Sequence, residues 1–241
     1  MTETPRRDTL ELAHGLGLAN LQPLAWAILL FLALDGLFVI AFGASPRGLA
    51  DFVFAVLVLY AALRTALTNG QVTGVAAALT REGRLPWAFL FRTALLVVPS
   101  LLAFLLVGGL LYPALGEGGA RLVAFAVSLV VQSLAFALFA TMLVDLAKGG
   151  WGDAEDALAH GRRHWVAVTT MMLSGPAVVE TVVYLTREAF LGLGLGDRVA
   201  VAGATHIDPL GMALDALTLT GSAIVSLMTA AVLLRAARLP G

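Results

Sequence analysis

An all-α protein crossing a membrane six times is the fold class this sequence predicts, and three observations predict it. Hydrophobic residues make up 59% of the 241 and charged residues only 13%, against about half and a quarter in soluble domains. Those apolar residues come in runs of about 20, the length at which a helix crosses ~30 Å of hydrocarbon. The Lys and Arg residues are sorted between the connecting stretches: alternate crossing places eleven on one side and four on the other, the asymmetry of the positive-inside rule. The mean hydropathy, +0.91, fits the same class.

The elements follow in order. Residues 1–22 hold a polar tail with Arg6 and Arg7, then a short helix that Asp8 caps with Glu11 as its capping-box partner. The first span is 24–42, entered at Pro23, and it is too long for the apolar core of a cleaved signal peptide. A Gly/Pro turn over 43–48 leads into the second span, 49–67. The polar stretch 68–92 carries a helix from Thr73 to Glu82, with Arg84, Trp87 and Arg92 at the return to lipid. Spans three and four are 93–111 and 122–146, joined by a Gly-rich turn. Span five, 166–191, is interrupted at Gly175-Pro176, and span six is 209–234.

The stretch 148–165, KGGWGDAEDALAHGRRHW, is polar, helical in period and capped by Asp153. Short matches link it to two earlier stretches. Gly70, Ala78, Leu79 and Arg84 align with Gly149, Ala157, Leu158 and Arg163, and Leu12–Gly15 align with Leu158–Gly161. Each stands ahead of two apolar runs. One domain, 1–241, built of three units of a surface helix and two spans (about 8–67, 68–146 and 147–238), is therefore expected. The charge bias places both termini and the three polar helices in the cytoplasm. Arg84, Trp87, Arg92, Arg162, Arg163 and Trp165 are then the residues expected to touch lipid head groups or a protein partner.

Chemistry within the spans rests on a few groups. Asp35, Glu180 and Asp215 fall inside apolar runs, where an Asp costs roughly 2.5–3.5 kcal/mol on insertion scales, so they are expected to face the bundle interior or water. Arg187 follows Glu180 by seven residues on nearly the same helix face. The four form a polar cluster read either as a solute or proton path or as buried hydrogen bonds between helices. Pro176 behind Gly175 should kink the fifth span just ahead of Glu180.

Other signals are weaker. Asp156, His160 and His164 share a helix face at metal-ligand spacing, but Arg162 and Arg163 beside them would repel a dication, so no metal is expected. No span contains His, which argues against haem, and no cofactor is expected. With no Cys there is no disulfide, and with no basic stripe nucleic acid is an unsuitable partner. Gly194-Leu195-Gly196-Asp197 is similar to the GxGD signature of intramembrane aspartyl proteases, without the Tyr-Asp partner motif.

Two resemblances bear on function. Glu155, Ala157 and Gly161 stand at the spacing of the E-A-A-x-x-x-G coupling helix, so this stretch resembles the loop by which importer permeases dock on their ATPase. The whole layout, Gly70…Ala78-Leu79…Arg84…Trp87 and Gly149…Ala157-Leu158…Arg163…Trp165, resembles the membrane domain attached to some glycerophosphodiester phosphodiesterases and the small YciC-like and DUF975-like six-span proteins. That likeness implies a fold and a location in a bacterial inner membrane. The expected function is a non-enzymatic scaffold or accessory subunit acting through its cytoplasmic helices on membrane lipids and a protein partner. The alternative is a transporter or permease component built on the carboxylate cluster.

Overall fold

The computed structural model describes residues 4–42, 47–69, 87–193 and 209–240. Among them every regular element is a helix: α1 Thr4–Phe42, α2 Arg47–Leu67, α3 Trp87–Lys148, α4 Ala154–Ser174, α5 Pro176–Gly192 and α6 Pro209–Ala236. Five stretches are long and apolar enough to cross a membrane: Glu11–Leu34, Ala50–Leu67, Trp87–Lys148, Ala154–Phe190 and Ala213–Ala236. Large apolar side chains stand on the outward faces of several of them. Leu105, Leu106 and Leu110 on α3 are 68%, 64% and 77% exposed, which is compatible with a multi-pass membrane protein and costly in water.

α3 is the longest element, and the reason lies in one glycine. A straight helix of 62 residues would reach about 93 Å, three times the hydrocarbon thickness. The backbone leaves helical geometry at Gly116, with φ 67° and ψ −179°, a conformation only glycine adopts without strain. The chain turns back there. A Cβ on Gly108 would stand 3.6 Å from that of Ala124, whereas sixteen residues of unbroken helix would separate them by about 24 Å. Residues 87–115 and 117–148 therefore lie side by side.

α6 is the central helix, packed against all five others. Small residues let it be so: Ala223, Ala230 and Ala231 are buried, and Gly221 sits so close to Val183 of α5 that a side chain there would collide with it. Against α2, the Ser226 hydroxyl donates to the Ala55 carbonyl at 3.0 Å. The core runs from Phe54, Val58 and Leu63 on α2 through Leu143 on α3 to Leu233 on α6.

Polar helices as separate surface elements are not what the described residues form. α1 continues unbroken through Pro23 for 39 residues, because a proline removes one donor without forcing the chain to turn. In α4 the polar 154–165 segment runs on into apolar 166–174, since no glycine or proline separates His164 from Val166. Asp153 does start that helix, its carboxylate accepting from the amides of Glu155 at 2.8 Å and Asp156 at 3.3 Å. The expected helix 73–82, with Gly70, Ala78, Leu79 and Arg84, and the GxGD stretch 194–197 lie outside the described residues.

Candidate functional site

A partly open cavity lies within the bundle. With a volume of about 460 Å³, it is bounded by α2, both arms of α3, α5 and α6, near mid-length of each. α2 supplies Asp51 and Phe52; the first arm of α3 supplies Thr93, Ser100 and Phe104. The returning arm supplies Phe125, Ser128, Gln132 and Phe136. From α5 come Glu180 and Val183, and from α6 Gly221, Ser222, Ser226 and Thr229. Two carboxylates, six hydroxyls and an amide thus line a chamber otherwise walled by aromatic and aliphatic groups.

Local backbone features aim these groups. α4 stops at Ser174, Gly175 takes φ −121° and ψ −91°, and α5 restarts with Pro176 in its first turn, where the missing amide costs nothing. Glu180 follows one turn later and points into the chamber, half-buried. On α6, Ser222, Ser226 and Thr229 stand at i, i+4 and i+7, which places them on one helix face. Ser128 and Gln132 repeat the i, i+4 spacing on α3. Phe125 is held by stacking on Tyr184 of α5, with ring centroids 3.9 Å apart.

The expected polar cluster is not assembled as one site. Glu180 lines the cavity. Asp215 is half-buried on α6 and lies outside the lining, six residues before Gly221. Arg187 is exposed near the far end of α5 and lies outside the lining. Asp35 falls on α1, and its side chain lies outside the described residues. Asp51, one turn inside α2, lines the same cavity as Glu180, which a search for charges deep in apolar runs overlooks. Hydroxyls at i, i+4 and i+7 in spans are the sequence signal for the rest.

The residues expected at a lipid or partner surface divide. Trp87, Arg162, Arg163 and Trp165 are exposed. Arg92 is half-buried and donates to the Gly152 carbonyl, tying the start of α3 to the turn before α4. Arg84 lies outside the described residues. Ala157 and Gly161, which carry the coupling-helix spacing, face inward onto α3. His160 and His164 grip the end of α6: each Nε2 donates to a main-chain carbonyl, of Ala236 at 3.1 Å and Pro240 at 2.9 Å.

Comparison with protein-family models, with curated proteins and with solved structures finds no match for this chain.

Proposed function

We propose that this chain is a membrane-embedded solute-binding protein, a transporter or permease component, that crosses the bilayer six times. The single observation that carries the reading is the chamber at mid-length of the bundle with Glu180 on its wall. An intramembrane carboxylate is costly unless it meets water, a partner or a ligand, and transporters hold their ligands near the midplane beside interrupted helices. The break at Gly175 stands one turn from Glu180. The reversal at Gly116 supports six crossings, because it makes two arms of the longest apolar stretch. The contact of Ser226 with Ala55 supports the three-unit layout, since it pairs the second spans of the first and third units.

The natural absence of Cys makes the test direct. Ser128→Cys and Ser222→Cys place single thiols in the chamber. A membrane-impermeant maleimide is applied to intact cells and to inverted vesicles. A permease component is expected to label from at least one side, with labelling slowed by its solute. Thiols that react from neither side until the protein is denatured would falsify the reading.

A second reading, a scaffold or accessory subunit of a bacterial inner membrane, has its own support. Trp151 is 92% exposed at the turn before α4, with Arg162, Arg163 and Trp165 exposed along that helix, the composition of a lipid or partner contact. Affinity isolation in mild detergent tests it: the same protein should co-purify with the wild type and be lost from Trp151→Ala with Arg162→Ala and Arg163→Ala. Both termini on the cytoplasmic side belong to either reading and follow from the charge bias.

A further inference from the structure

We infer that the chamber is a site for an organic ammonium ion with an apolar body, its charge held by Glu180 and by hydroxyl oxygens around it. The inference rests on the solute-binding reading above and adds the ligand class.

Charge comes first. Asp51 and Glu180 are the ionisable residues of the described lining, which holds no Lys, Arg or His. An anion would therefore meet two acidic groups and no cation in that lining.

Hydrogen-bonding capacity points the same way. A hydroxyl offers one proton and two lone pairs, and four of the six hydroxyls in the lining have their proton committed to a main-chain carbonyl. Thr93 donates to Phe89 at 2.8 Å, Ser100 to Val97 at 2.7 Å and Ser128 to Phe125 at 2.8 Å. The single Ser226 proton is shared between the Ala55 carbonyl at 3.0 Å and the Ser222 carbonyl at 2.8 Å. What these four present to the chamber is lone pairs. The donors that remain in the lining are the Gln132 amide and the Ser222 and Thr229 hydroxyls, fewer than the acceptors that the two carboxylates and these four hydroxyls provide. A wall with more acceptors than donors suits a ligand rich in N–H, and an ammonium group supplies two or three along with the missing charge.

The rest of the wall fixes the body. Phe52, Phe104, Phe125 and Phe136 line the same chamber, and aromatic faces attract cations as well as apolar carbon. The volume, about 460 Å³, lies in the range of small-molecule pockets. A bare metal ion would leave most of that aromatic wall unused.

The experiment uses the full chain in lipid nanodiscs and three probes with similar bodies: 2-phenylethylammonium, 2-phenylethanol and 3-phenylpropionate. Binding is measured by equilibrium dialysis, and uptake by empty nanodiscs is subtracted. The ammonium probe is expected to bind saturably, at least ~10-fold tighter than the alcohol, with no saturable binding of the carboxylate. Glu180→Gln should weaken it about 10- to 100-fold, the range for losing a charge-assisted hydrogen bond, while the alcohol is unaffected. Equal binding of the alcohol or carboxylate, no saturable binding of any probe, or an unchanged affinity in Glu180→Gln each overturns the inference. If the variant does not fold, the ranking of probes on the wild type decides alone. A neutral or anionic preference leaves the permease reading standing, whereas thiols labelled from neither side remove that reading whatever the probes do.

Discussion

Gly161 of α4 lies so close to the main chain of Leu138 on α3 that even a methyl group has no room between them. The obstacle is backbone, not the end of a flexible side chain, so it cannot step aside. α3 is itself irregular one residue on, at Phe139, with φ −117° and ψ 20°. This is a close approach of backbone to backbone between α3 and α4, and it explains why a glycine stands in the middle of a helix where it costs intrinsic stability.

Gly161→Ala is therefore expected to lose about 1–3 kcal/mol, the usual range for overpacking, read as a lower unfolding temperature in mild detergent. At Gly15, its counterpart by sequence, an added Cβ would meet nothing within 4 Å. Gly15→Ala should leave stability unchanged or raise it by about 0.5–1 kcal/mol.

Arg64 is 5% exposed and its Nη1 donates to the Ala147 carbonyl at 3.1 Å. A guanidinium at the last turn of α3 satisfies a carbonyl that the helix leaves open and opposes the negative end of its dipole. Arg64→Ala should cost about 1.5–3 kcal/mol, as for hydrogen bonds to charged groups. Arg162→Ala, at an exposed site, should stay within about 0.5 kcal/mol. Comparable losses in the two variants would refute this division of the basic residues.

The reversal of α3 depends on backbone alone at Gly116, where φ is 67° and a Cβ would meet nothing within 4 Å. Gly116→Ala is expected to cost about 1–3 kcal/mol through strain, and Gly118→Ala, in equally open space, to cost nothing. Thermal unfolding of the two variants side by side checks it. A straight α3 would make both substitutions harmless.

The paired histidines predict a local effect. His160→Ala with His164→Ala removes the two bonds to the Ala236 and Pro240 carbonyls, worth about 1 kcal/mol each. Hydrogen exchange over 236–240 should quicken while the buried amides of α2 keep their protection. Faster exchange throughout would mean that the histidines hold more than the end of α6.

The sequence by itself determined the helical class, the apolar runs, the Asp153 cap and the Gly175-Pro176 break, because each is written in neighbouring residues: period, capping chemistry, and the absence of a backbone donor. Glu180 was legible as a charge among apolar residues. Tertiary structure decided which groups meet it. Asp51, Ser128 and Ser226 join Glu180 around one chamber while Arg187 stays outside, and that depends on how helices far apart in the chain rotate about their axes. It likewise decided that Gly161 marks a helix crossing, that α1 does not break at Pro23, and that Arg92 and Arg64 turn inward to main-chain carbonyls. Local propensity sets where a helix begins and which faces are apolar. When nearly every face is apolar, only close packing of small residues and the satisfaction of buried polar groups select among the arrangements.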